Sequence, residues 1–478
     1  MSAEPAAPES RKVIAIKLLV LVAIYFAIIW LLPRPAAVKP EGWRLLGIFL
    51  ATVAGLMLHP LPGGAIVLIG VTAAALLRAL PMEQALAGYS KSFVWLVLAA
   101  FFVSRALIKT GLARRIALLF VRAFGKSSLG LSYSLILSDV TLATSIPSNA
   151  ARAGGVILPI LRSLTELYGS LPGETASLLG TFLFVAVYQG ECVAAAMFFT
   201  GQASNPLAAN FAHSIAHFEV TWASWFVAGI VPGAICIFLV PWVISRLLPP
   251  KIRHTPEAPD FARRELAAMG PPGRAEKIVL VVFVATCGLW LTTSLHHIGI
   301  TEVALLGACC LFLAGVLTWE DAISERAAWD VFIWYGGLSG LGEALNDFGV
   351  TTAFAQQVGA YFQNLGWIPL LAVTLVIYFY AHYAFASITT HILAMYPAFL
   401  ALLLLRGAPA GLIVYAFACL SNLSAGLTHY GTTPSPMFYA HGYVSFADWW
   451  RAGFAVSIVN ILIWCSVGFL WWKLIGIW

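Results

Sequence analysis

Charge is what this sequence has least of. Asp, Glu, Lys and Arg together make up 10% of the 478 residues, against about 25% in ordinary soluble domains. Mean hydropathy is +0.88. A soluble globular fold is excluded, and the lipid bilayer becomes the first expected partner. Cysteine is sparse too: there are seven, scattered through apolar segments with no pair at metal-ligand spacing, and they read as small core residues. There is no HExxH, no Walker-type phosphate loop and no paired-cysteine motif. These absences argue against metal, redox and ATP-driven chemistry, so no cofactor and no nucleic acid is expected. His296-His297 is a lone pair at a helix end and reads as a solvated turn. Runs of barrel-strand length are missing as well; the apolar runs approach ~20 residues, which is helix length.

What is present is a series of such runs, the pattern of an all-α polytopic membrane protein. The run 13–32 follows Arg11 and Lys12 without a small-residue cleavage site, and reads as a retained first helix within residues 1–42. Residues 43–248 form a first half, 249–276 a polar, Pro-rich cytoplasmic linker, and 277–478 a second half. Helices are expected at about 14–32, 43–58, 65–80, 93–108, 180–199, 222–247, 278–293, 303–317, 331–345, 412–427 and 449–478. The stretch 109–126 is amphipathic and basic, suited to anionic lipid. The connectors 81–91 and 346–364 read as polar.

Two apolar stretches, 131–167 and 368–405, are interrupted in the middle. Ser145, Pro147, Ser148, Asn149 and Arg152 break the first, and residues 382–391 break the second. In lipid the Arg alone costs roughly 2.5–3.5 kcal/mol on insertion scales, so protein or water must surround it. Each stretch is long enough for two half-spans, a re-entrant hairpin. Ser148 and Asn149 suit the N-cap of a helix starting near Ala150. Such a helix aims its free N–H groups and positive dipole end back at the break. Two further motifs, Thr-Gly-Gln-Ala-Ser-Asn-Pro at 200–206 and His-Tyr-Gly-Thr-Thr-Pro-Ser-Pro at 429–436, end later helices irregularly.

The halves overlay. Residues 95–111 match 333–349, with Gly111 over Gly349; Ser148 to Arg152 lie over Ser387 to His391; Gly201 lies over Gly431; Trp222 and Trp225 have counterparts in Trp449 and Trp450. Lys and Arg are common in 109–126 and in the linker but absent from 204–218, 294–300 and 346–364. With a cytoplasmic N-terminus this satisfies the positive-inside rule. The first hairpin then enters from the cytoplasm and the second from outside, so the halves are two inverted repeats, as in many secondary transporters.

Two hairpin tips and two unwound helices meeting near the midplane would make a pocket of hydroxyl and amide donors with two cationic side chains. That suits a small anion with two or more carboxylates. Arg152 and His391 each lie one helical turn past the tip serine, Ser148 or Ser387. There they could act as fixed charges beside the anion, in place of a mobile cation. The alternative is that Arg152 pairs with a carboxylate such as Glu191 and only holds the hairpin. Thr389-Thr390 and Thr432-Thr433 equally suit ordinary helix–helix hydrogen bonding, and His382 and His429 are open to both readings. An intramembrane enzyme would need a base for Ser148, for which His391 is the candidate. A channel would not need two inverted broken repeats.

Three segments carry a resemblance: PSNAARAGGVILPI from Pro147, NPLAANFA from Asn205, and LTHYGTTPSPMFYAHGYV from Leu427. They resemble the divalent anion:sodium symporter family, in its branch of 2-oxoglutarate/malate translocators and citrate- or tartrate-succinate antiporters. The resemblance implies inverted repeats, an elevator-type transporter and a homodimer in the inner membrane. It also implies tip motifs Ser-Asn-Thr that hold substrate carboxylates. Here the first tip is Ser148-Asn149-Ala150, lacking the Thr hydroxyl, and the second is Ser387-Ile388-Thr389, lacking the Asn amide. The family's Thr-Pro on the second unwound helix matches Thr433-Pro434, whereas Ala203-Ser204 stands at the equivalent place on the first. Two of these departures lie where sodium symporters need oxygens. The expected function is therefore sodium-independent antiport of di- or tricarboxylates; the alternative is a sodium- or proton-coupled symporter of the same fold. The candidate substrate-binding residues are Ser148, Asn149, Ala150, Arg152, Asn205, Ser387, Thr389, Thr390, His391, Thr432, Thr433 and Pro434.

Overall fold

The computed structural model describes residues 10–362 and 364–478. Among them the chain is helical, and nine helices are long and apolar enough to cross a membrane. Three shorter apolar helices, Gly63–Leu76, Ser128–Ala143 and Ile300–Leu313, accompany them. The expected helices are present with shifted ends. Gly63–Leu76 stops short of residue 80 because Arg78 takes a left-handed conformation, φ 53°. The expected connectors are more ordered than their polarity suggested: 81–91 holds two short helical turns, Met82–Ala85 and Ala87–Ser90, and 346–364 holds the helix Val350–Tyr361.

The linker is also structured. Glu257–Met269 is a helix, docked on Leu112–Phe124 through the Arg114–Glu265 ion pair at 2.5 Å. Thr255 donates to the Gly125 carbonyl at 2.7 Å. The sequence hid this helix because its Pro residues sit at the helix start, where a missing N–H costs nothing.

The chain forms two compact units. One comprises the described residues of Met1–Val94 and Ala327–Gln363. Its helices approach closely over small residues: a Cβ added to Gly88 would lie 1.9 Å from the Gly336 carbonyl oxygen. Asp330 caps the helix Gly63–Leu76 by accepting from the Gly64 N–H at 3.0 Å. The other unit comprises Trp95–Arg326 and the described residues of Asn364–Trp478, and it holds every candidate site residue.

Both hairpins form within this second unit. The first runs down Ser128–Ala143, breaks, and returns through Asn149–Arg152, a π turn at Ala153–Ile157 and Leu158–Leu167. The second runs down Trp367–Ala381, breaks, and returns through Ile388–Leu405. The irregular motifs are breaks too: Gly180–Met197 is followed by a 3₁₀ turn and Asn205–Ala216, and Ala410–Ser424 by a 3₁₀ turn and Pro434–Tyr439. Positions matched between the halves share conformations. Gly111 and Gly349 both start helices with φ near 80°, at 80° and 77°. Ser148 and Ser387 are both extended N-caps.

Candidate functional site

At the first tip, Ser148 Oγ accepts from the Ala151 N–H at 3.1 Å. Asn149 Oδ1 accepts from the Ala150 N–H at 3.0 Å, and its Nδ2 donates to Thr432 Oγ1 at 3.2 Å. The tip of the first hairpin is thereby joined to the second broken helix. At the second tip, Ser387 Oγ faces the Thr390 N–H at 3.5 Å. Thr433 is exposed, Ser148, Ala150 and Ser387 are half-buried, and Thr389, Thr390, Thr432 and Pro434 are buried. Among the described residues no protein group bonds to the Thr389 or Thr433 hydroxyl. Two helix starts, each with N–H donors left over from the first turn, and these free hydroxyls share one compact unit.

Arg152 has all its bonding partners inside the protein. It is fully buried. Its Nε donates to Asp139 Oδ1 at 2.8 Å and its Nη2 faces Asp139 Oδ2 at 3.5 Å. Its Nη1 donates to the carbonyls of Ile146 and Gly201, both at 2.7 Å. One guanidinium thus binds the first hairpin arm, the break and the first broken helix. The ion pair is with Asp139; Glu191 was the carboxylate named for the alternative reading, in which Arg152 pairs and holds the hairpin, and that partner is corrected here. Asp139 carried its own signal, since it is the lone charged residue in Ser128–Ala143.

His391 is buried between the rings of Tyr378 and Phe385, at centroid distances of 4.2 and 5.0 Å. Its Nδ1 meets His382 Nδ1 at 3.1 Å, and His382 Nε2 meets the Gly431 carbonyl at 2.8 Å. A carbonyl only accepts, so His382 Nε2 carries hydrogen. With His382 neutral, its Nδ1 accepts from His391 Nδ1–H, and His391 Nε2 is left bare. That nitrogen has no hydrogen-bond partner among the described residues.

Asn205 is a joint. It is fully buried, its Nδ2 donates to the Ala195 and Phe198 carbonyls at 2.9 Å each, and its Oδ1 accepts from Asn422 at 2.8 Å. Asn422 was not singled out from sequence, because an Asn inside an apolar helix shows its partner only when the chain is folded. A stray carbonyl of the first break is also served by tryptophan, Trp225 donating to Ala196 at 2.9 Å, and Trp222 donates to the Thr200 hydroxyl oxygen at 3.0 Å.

Two hairpins and two broken helices on one compact unit are the construction of a membrane transporter. A solved structure, that of the Alcanivorax borkumensis YdaH transporter, shares the fold: it covers 98% of this chain and 98% of its own, with a TM-score of 0.54 at 13% identity. The family described as sodium:sulfate symporter transmembrane region matches residues 12–478, and the chain belongs to it as a multi-pass membrane transporter and not an enzyme. A protein named putative malate transporter YflS, from Bacillus subtilis, is 43% identical over the full length of both chains, 100% of each. The Arabidopsis thaliana protein named dicarboxylate transporter 1, chloroplastic, is 41% identical over 94% of this chain and 82% of its own. The Spinacia oleracea protein named dicarboxylate transporter 2, chloroplastic, is 38% identical over 97% of this chain and 83% of its own.

Proposed function

We propose that this protein exchanges small di- or tricarboxylates, of the kind of 2-oxoglutarate, malate, succinate, tartrate or citrate, without sodium. The names of the relatives support the substrate class. One observation carries the coupling. Gly201 and Gly431 are matched between the halves, and each carbonyl accepts from a protein nitrogen, Arg152 at 2.7 Å and His382 at 2.8 Å. A sodium ion at such a break needs backbone oxygens facing it. Here an N–H group already occupies one lone pair of each of these two carbonyls, which supports the sodium-free reading.

In this reading Ser148, Asn149, Ser387, Thr389 and Thr433 hold the carboxylates. The backbone of Ala150 and Thr390 contributes at the tips, and Thr432 and Pro434 shape the opposite wall. Arg152 and His391 stiffen the tips from behind. Asp139 offsets the charge of Arg152, so the barrier to an empty crossing comes from unfilled donors and two helix N-termini, not from a net positive charge. Each unsatisfied buried group costs about 1–3 kcal/mol, and an anion on every crossing removes that cost. The inverted repeats, an elevator motion of 131–247 with 368–478, a homodimer, and placement in an inner membrane with the N-terminus cytoplasmic belong to the same proposal.

Purified protein in liposomes tests it. Uptake of labelled malate is expected only into liposomes preloaded with a dicarboxylate, and at the same rate with and without sodium. Sodium-driven uptake into empty liposomes overturns the reading.

A further inference from the structure

Glu191 stands in the middle of Gly180–Met197, a helix whose residues from Phe182 to Met197 are all buried. Its side chain is 4% exposed, and neither carboxyl oxygen has a hydrogen-bond partner among the described residues. The helix is held so that this residue stays inside. Tyr188 donates to the Ala425 carbonyl and Gln189 to the Gly426 carbonyl, both at 2.7 Å. A Cβ on Gly190 would lie 2.5 Å from Ile136, so the first hairpin arm packs directly on this turn. The charged or titratable groups that act on Glu191 are Asp139 from that arm, Arg152 from the returning arm, and Tyr188 and Cys192 on its own helix.

The local charges do not balance with Glu191 ionised. Arg152 is the one cation among those groups; four of its five N–H donors go to Asp139 and to two carbonyls, and Glu191 accepts from none of them. Asp139 already matches its charge. A second carboxylate in the same dry cluster would have neither donor nor counter-charge, a situation buried ions do not sustain. Its helix is enclosed by protein, so the carboxyl has little solvent to extend into.

We infer that Glu191 is an intramembrane proton-binding site, linked through Arg152 and Asp139 to anion binding at the hairpin tips. The atoms balance simply: one hydronium from solution gives its proton to one carboxylate oxygen and leaves as water, and nothing else is transferred. The linkage rests on the carboxylate reading above. Arg152 is one turn past Ser148, so a dianion at the tip adds negative potential to the cluster and favours the proton on Glu191. Reciprocally, the proton favours the anion.

Infrared difference spectra of the full chain in lipid nanodiscs, wild type against Glu191→Gln, test the proton site without any ligand. The expected result is a protonated carboxylic acid carbonyl band at neutral pH that Glu191→Gln removes; no such band overturns the inference. Calorimetric titration with succinate, at the alkaline pH where half of that infrared band is lost and in two buffers of different ionisation enthalpy, tests the linkage. Wild-type heats should depend on the buffer and those of Glu191→Gln should not, with succinate still bound. Equal buffer dependence in both proteins overturns the linkage. If succinate binds to neither, the carboxylate reading falls and the linkage with it, while the infrared band still decides the proton site.

Discussion

A single side chain decides much at the tips. The hydroxyls of Ser148 and Thr389 are placed at the two helix starts where an anion's oxygens would collect. Each can donate one charge-assisted bond to a carboxylate, worth about 1.5–3 kcal/mol. Ser148→Ala and Thr389→Ala should each weaken malate binding by roughly tenfold or more; unchanged affinity in both, measured by calorimetry, would remove them from the site. Arg152 makes a different prediction. Its pairing with Asp139 at 2.8 Å is buried on both sides. Removing either partner leaves an uncompensated buried charge and should cost about 3–5 kcal/mol. Asp139→Asn or Arg152→Met should therefore lower the unfolding temperature sharply, and the double variant should recover a large part of the loss. If Arg152 instead met only substrate, Asp139→Asn would leave stability alone.

Among the elements, the short helix Trp319–Ser324 fastens the end of Ser92–Lys109. Asp321 caps it, accepting from the Thr318 N–H at 2.8 Å, and pairs with Lys109 at 2.5 Å. The Lys109 hydrogen bond, with the Thr318 N–H next, pushes the Asp321 carboxyl down from its ordinary 3.8 to about 2. A carboxyl lowered on folding stabilises the fold above its ordinary value and loses that contribution as pH falls through the folded one. The destabilisation caused by Asp321→Asn should thus be present at neutral pH and disappear near pH 2, read as a difference in thermal unfolding; a difference that persists there would show that the charge is not what matters. The hairpin tips were legible at this scale because Ser-Asn and Ser-x-Thr after an apolar half-span have few other uses in lipid. The helix Glu257–Met269 was not, since Pro, charge and Gly around it imitate a loop until Leu112–Phe124 supplies its partner face.

For the whole molecule, the compact units do not follow the sequence halves. Each unit joins residues from before and after the linker. The proposal of a homodimer makes a direct prediction: native mass spectrometry in detergent should find two chains, and single cysteines in either hairpin should fail to cross-link the subunits. Efficient cross-linking between the hairpins of two chains would contradict the proposed motion.

Sequence alone determined the membrane fold and the four breaks. Hydropathy and helix length are local properties, and a break in lipid is costly enough that its residues announce it. It did not determine where the charges go. For Arg152 the sequence reading offered Glu191 as a possible partner and did not single out Asp139. Only packing settled that Asp139 takes the guanidinium, that Arg152 and His382 cover the Gly201 and Gly431 carbonyls, and that Glu191 is left bare. Those outcomes depend on a few ångströms between helices far apart in the chain, and no pattern along the sequence encodes that distance.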